Sequence, residues 1–323
     1  MNWRRPLFGT VLFVATALYV FHAPLSGGQS QASASDGSDG QPSRAINVDV
    51  DLVLVNVSVI DSRNRFVQGL SKKNFRVWED KIEQEITVFE REDTPVSLGI
   101  VIDKSGSMGL RKPRSTPAPA PSGWQTLVEE ARASAYSCLR SGLLDDEYFL
   151  IEFSDSSQVV ADFTNDLATL RDKLLFLGAG GSTSLWDAVY AGVAKLRKAK
   201  YSRKALLVLT DGEENSSRYS LGDVKRELRE SDVRIYTMDN ADVQFDGLQQ
   251  LVKLSGGMNF RGIEPCKRLS TELRNQYIIG YRSTNRAADG EWREIRVRTN
   301  ADTLPKEMGE LSVRARAGYY ASR

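Results

Sequence analysis

The chain has 323 residues, enough for a sizeable core and one to three domains. Its apolar and charged fractions, 41% and 26%, are those of a globular protein, and 43 basic against 42 acidic residues give a net charge of +1. That balance makes no electrostatic case for a nucleic-acid partner. The single histidine, His22, falls in an N-terminal apolar segment, so histidine acid/base catalysis and histidine-ligated metal sites are excluded from the rest of the chain. The two cysteines, Cys138 and Cys266, are far apart and form no CxxC pattern. Cys138 falls on the apolar face of an expected helix and reads as a buried core residue, with pairing to Cys266 the alternative in an exported protein.

Residues 1–25 carry Arg4 and Arg5 and then an apolar run from Leu7 to Phe21, the pattern of an export signal. Cleavage near Ala32-Ser-Ala34 is the first reading, and an uncleaved membrane anchor the competing one. Residues 26–45, rich in Ser, Gly, Gln, Ala and Asp, read as a flexible linker.

Residues 46–93 are β-rich. The stretch from Val48 to Ile60 changes its apolar phase midway, as a long strand with a bulge or a change of covered face would. Phe75 to Trp78 and Ile86 to Phe89 are shorter strands separated by turn residues. Next, Leu98 to Ile102 is an unbroken apolar run, a strand buried on both faces, and it ends in Asp103-Lys-Ser-Gly-Ser-Met108. A basic, proline-rich loop follows from Arg111 to Ser122. Trp124 to Leu139 reads as a helix, and from there helical and strand periodicities alternate to about residue 275, which predicts a parallel sheet with helices on both faces. Within this region lie Gly178-Ala-Gly-Gly-Ser-Thr-Ser184 and a second apolar run ending in an aspartate, Lys204 to Asp211. Residues 276–323 return to alternating strands and are expected to pair with 46–93. The fold class is therefore α/β, with a doubly wound, mostly parallel sheet (94–275) inserted in a small β-sandwich-like domain.

Asp103, Ser105 and Ser107, then Thr183, then Asp211 stand at strand ends or in loops, where open α/β sheets bind ligands. In order, D-x-S-x-S, Gly-Gly-Ser-Thr and Leu-Thr-Asp-Gly resemble the metal-ion-dependent adhesion site of a von Willebrand factor type A domain. Glu92-Asp-Thr-Pro-Val96, Gln276 to Tyr281 and Ala315 to Tyr320 also resemble the type A-related bacterial family described from Acidobacteria. The resemblance implies that Ser105 and Ser107 ligate a divalent cation directly and that Thr183 joins them when ligand is bound. Asp103 and Asp211 would then act largely through water. An all-oxygen set suits Mg²⁺, with Mn²⁺ or Ca²⁺ as alternatives. Two features depart from the pattern: the Thr loop, Gly180-Gly-Ser-Thr183, is one residue longer than the usual Gly-Gly-Thr, which offers Ser182 as a substitute ligand, and the proline-rich loop from Arg111 to Ser122 is extended.

The implied function is non-enzymatic: an exported adhesion module, periplasmic, secreted or on the cell surface. It would bind a protein or peptide whose Asp or Glu carboxylate completes the metal coordination, with membrane contact only through an N-terminal anchor. One alternative is a metal-assisted hydrolase with Glu213 or Glu214 as base. Another is a structural subunit of a surface assembly with an idle metal site. Asn56-Val-Ser58 and Asn215-Ser-Ser217 match glycosylation sequons and read as ordinary polar residues.

Overall fold

The computed structural model describes residues 52–91, 94–109, 111–113, 124–238, 246–260, 265–305 and 308–322. The export segment, the linker, the first residues of the β-rich region and most of the proline-rich loop lie outside them. In chain order the first elements are β1 (Leu52–Asp61), β2 (Phe75–Glu79), β3 (Ile82–Gln84), β4 (Ile86–Glu90) and β5 (Val96–Asp103). Then come the short ribbon of β6 (Arg111–Pro113) with β7 (Trp124–Thr126), α1 (Leu127–Arg140), β8 (Glu147–Phe153), β9 (Ser157–Thr164) and α2 (Leu167–Leu175). The alternation continues with α3 (Leu185–Leu196), β10 (Arg203–Leu209), α4 (Leu221–Arg229), β11 (Arg234–Met238), α5 (Asp246–Ser255), β12 (Asn259–Phe260) and α6 (Pro265–Arg274). Four strands close the chain: β13 (Tyr277–Arg282), β14 (Trp292–Thr299), β15 (Leu311–Arg314) and β16 (Gly318–Tyr320).

The central sheet has the order β12-β11-β10-β5-β8-β9, parallel except for β9, which runs antiparallel to β8. Period-2 alternation assigns its side chains to two cores. Leu98, Ile100 and Ile102 of β5 and Leu207 and Leu209 of β10 meet α1, α2 and α6 on one face. Val101, Leu206 and Val208 meet α3, α4 and α5 on the other. With both faces covered, every residue of β5 is buried, which explains its continuous apolar run.

Strands from the two ends of the described chain share sheets. β1 and β4 pair with β13, giving β15-β1-β13-β4, and β2 pairs with β14, giving β16-β14-β2-β3. A third core lies between these sheets, with Val53, Val55 and Val57 from the first and Phe75, Val77, Ile295 and Val297 from the second. The phase change in β1 has its origin here. Leu52 and Leu54 are exposed, whereas from Ser58 to Ile60 both faces are covered, because Val59 stays in the third core while Ile60 joins the core of the central sheet. The strand changes partner at the same place, from β13 up to Val57 to β15 from Ser58.

Two local expectations are corrected. Helix α1 begins at Leu127, three residues after Trp124, because Thr126 forms a capping box with Glu129: its hydroxyl accepts from the Glu129 amide (3.3 Å), and its own amide donates to Glu129 Oε2 (2.8 Å). Cys138 is buried as expected but is not a lone core thiol. It is disulfide-bonded to Cys266, joining α1 to α6 across 128 residues.

Candidate metal centre

The candidate residues gather at the carboxyl edge of the central sheet, where β5 and β10 lie side by side with Ile102 opposite Leu209. Asp103, the last residue of β5, is fully buried. Its Oδ1 accepts the Ser105 amide at 2.8 Å, a local turn that folds the chain back over the strand end. Its Oδ2 accepts the Thr210 hydroxyl at 2.6 Å, and Thr210 Oγ1 in turn accepts the Gly212 amide at 3.0 Å. One carboxylate thereby fixes the loops after both strands. Burial pushes the Asp103 carboxyl above the usual carboxylate range and Asp211 adds repulsion, while hydrogen bonds from Ser105 and Thr210 oppose the shift.

The hydroxyls of Ser105 and Ser107 lie 3.1 Å apart, Ser105 buried and Ser107 half-buried. The third segment is spliced onto this loop by its backbone: the Gly106 amide donates to Gly181 O (2.9 Å) and the Gly180 amide to Lys104 O (2.7 Å). Gly181 has φ of +88°, a conformation that favours glycine, and a Cβ there would come within 2.6 Å of the Asp155 carboxylate and displace it. Thr183 is buried, with its amide donating to Asn215 Oδ1 (2.9 Å) and its carbonyl accepting the Asn215 and Ser216 amides. Ser182 is exposed, and its amide donates to Asp155 Oδ1 at 2.8 Å. Asp211 is half-buried at the rim.

Several participants were not assigned from sequence. Thr210 stands within the quoted Leu-Thr-Asp-Gly segment, but its contact with Asp103 depends on the register of β5 and β10. Asn215 was read only as part of a sequon. Asp155, in the β8–β9 turn, carried no signal. Glu214 accepts from the Ser216 and Ser217 amides, the Ser217 hydroxyl and the Trp186 amide, so it caps α3 with both oxygens engaged. That is a structural post, not a free base. Glu213 is exposed, its amide directed to Asp211 Oδ1 (3.4 Å).

The von Willebrand factor type A domain model matches residues 98–262, half of the chain. The chain belongs to that family. Among solved structures, this type A chain is similar to BatB from Bacteroides thetaiotaomicron, with 16% identity and a TM-score of 0.43 over 55% of this chain and 97% of that one. It is also similar to the PilB minor pilin from Streptococcus sanguinis, with 13% identity and a TM-score of 0.43 over 57% and 61% of the two chains. A third is a von Willebrand factor type A protein from Catenulispora acidiphila, with 10% identity and a TM-score of 0.44 over 84% and 74%. A comparison with curated protein sequences finds no match.

The donor chemistry of this type A domain suits a hard divalent cation. Two ligands at neighbouring corners of an octahedral ion, each about 2.0–2.1 Å from it, are about 2.9 Å apart, close to the Ser105–Ser107 spacing. Ser184 Oγ, next to Thr183, is buried without a hydrogen-bond partner among the described residues. Among those residues no three Asp, Glu, His or Cys side chains cluster, so a cation here would be held mainly by hydroxyl oxygens, with carboxylates behind them.

Proposed function

We propose that this chain is an exported, non-enzymatic binding module that takes a protein partner through a divalent cation at the carboxyl edge of the central sheet. The observation that carries the reading is the pair of hydroxyls, Ser105 and Ser107, 3.1 Å apart over a buried carboxylate whose two oxygens already accept hydrogen bonds. Ser105 and Ser107 would hold the ion, with Thr183 joining them when the partner is bound, and Asp103 and Asp211 would act around it, largely through water. Mg²⁺ fits this small oxygen set. When bound, the ion supplies positive charge and an open coordination position for an Asp or Glu carboxylate of the partner. Asp103 orients Ser105 through its amide, and Thr210 keeps that carboxylate from turning. The splice of Gly180 and Gly181 onto Lys104 and Gly106 keeps the Thr183 loop in register with the serines. Export is supported by the Cys138–Cys266 disulfide, a bond that persists in oxidising compartments, and accords with the N-terminal signal pattern.

The test is titration of the full chain with Mg²⁺ by calorimetry, alongside partner capture from the native envelope with and without EDTA. Ser105→Ala with Ser107→Ala is expected to abolish Mg²⁺ binding, and EDTA to release the captured protein. Unaltered Mg²⁺ binding by the double variant would overturn the assignment of the site, and capture indifferent to EDTA would overturn the bridging role.

A further inference from the structure

The outer face of the β16-β14-β2-β3 sheet carries a cleft of ≈ 260 Å³ lined by Trp78, Lys81, Glu294, Arg296 and Arg298. It lies on a different sheet from the candidate metal centre and shares no residue with it. The register arranges it in rows: Arg298 opposite Arg76, then Arg296 opposite Trp78, then Glu294 beside the hairpin that carries Lys81. Successive rows on one face are about 6.8 Å apart. Trp78 is half-buried and holds its place under Arg76, whose guanidinium stacks on the indole at 5.2 Å and is tied to Glu83 at 2.5 Å. Like charges directly opposite each other destabilise a sheet. Arg76 is compensated by Glu83, whereas Arg298 is exposed with no ion pair recorded among the described residues.

The hairpin supplies a second, independent observation. Asp80 and Lys81 both have positive φ, 46° and 74°, the signature of a two-residue type I′ turn. Asp suits the first position, but glycine is strongly preferred at the second, where a side chain is strained. A lysine stands there, and its side chain lines the cleft. Backbone strain of this kind clusters at functional sites.

From this geometry we infer that the cleft binds an acidic glycan, a uronate- or sulfate-bearing sugar chain lying across Trp78. Arg76 covers one part of the indole, and the part that lines the cleft offers an apolar surface for a sugar ring. Lys81 on one side and Arg298 on the other take the anionic groups, and Arg296 joins them. Arg296 is bridged to Glu294 at 3.2 Å, but both side chains are 53% exposed, so that pair is weak and opens readily. Glu294 decides between ligand classes: its carboxylate accepts hydrogen bonds from ring hydroxyls, which a glycan carries on every residue and the deoxyribose of a DNA strand lacks, so the cleft favours a glycan over single-stranded DNA, which the aromatic and cationic groups alone would also attract.

The experiment measures binding of polygalacturonate, dextran and oligo-dT to the full chain in EDTA at low salt. Polygalacturonate is expected to bind, more weakly as salt rises, with dextran and oligo-dT weaker by at least about tenfold. Trp78→Ala is expected to lose about tenfold, the scale of one stacking contact. Lys81→Gly relieves the strained turn, so its thermal midpoint is expected to equal or exceed that of the parent while polygalacturonate binding falls. Polygalacturonate binding no tighter than dextran, oligo-dT binding as tightly as polygalacturonate, binding that vanishes in EDTA, or undiminished binding by a folded Lys81→Gly variant would each overturn the inference.

Discussion

Two carboxylates are buried at opposite edges of the central sheet, and their surroundings differ in one respect. Glu272 of α6 packs at the amino edge, where its Oε1 accepts from the Ser58 hydroxyl (2.8 Å), the Tyr236 hydroxyl (3.0 Å) and Arg234 Nη1 (3.1 Å). Asp103 at the carboxyl edge is held by neutral donors, the Ser105 amide and the Thr210 hydroxyl, and the nearby acid Asp211 acts on it by repulsion. Burial raises the pKa of both; Arg234 opposes the shift at Glu272, whereas hydrogen bonds from Ser105 and Thr210 oppose it at Asp103. Among the described residues one site contains its own counter-charge; at the other, the cation proposed above would supply it, which is the physical sense of reading Glu272 as structural and proposing Asp103 as part of a binding site.

The comparison is open to a direct break. Arg234→Met strands the Glu272 charge in a fully buried site and removes the ties to Ser58 and to the Asn56 carbonyl. The expected cost is about 3–5 kcal/mol in urea or thermal unfolding; a loss below about 1 kcal/mol would show that the pair is not the internal counter-charge described here. Asp103→Asn should behave in the opposite way. It removes a buried charge with no protein cation beside it, so the midpoint in EDTA is expected to hold or rise, while the stabilisation by saturating Mg²⁺, about 2.7 kcal/mol at one hundred times Kd for the parent, disappears. If Asp103→Asn destabilises the metal-free protein as strongly as Arg234→Met, the two edges are alike and the contrast fails. The smallest effect is expected for Glu213→Gln, at an exposed position: within about 0.5 kcal/mol in stability and unchanged in Mg²⁺ affinity. A large loss of affinity there would move Glu213 into the coordination sphere.

Chain order, composition and local pattern made much of this molecule legible in advance. A strand buried on both faces must be apolar throughout, so β5 and β10 were visible as runs, and the oxygen-bearing residues that end them marked the edge where a ligand would sit. Period-3.6 faces made the helices legible, although the start of α1 was displaced by the reciprocal cap between Thr126 and Glu129, a signal that outranks the apolar residue before it. What the sequence left open were relations between residues far apart in the chain. Whether Ser182 or Thr183 faces inward depended on Asp155 and Asn215 holding the loop from either side. The assignments of Thr210 to Asp103 and of Ser58 to Glu272, together with the pairing of Cys138 with Cys266, required the strands and helices to be set side by side. So did the pairing of Trp78 with Arg296, more than two hundred residues apart in the chain yet opposite each other in register. Local sequence decides which segments hide from water and which side chains can carry a site, because those choices follow from the periodicity of burial. The partners that neutralise or orient each buried polar group are decided only by tertiary packing, because a hydrogen bond or ion pair is set by distance in space and not by separation along the chain.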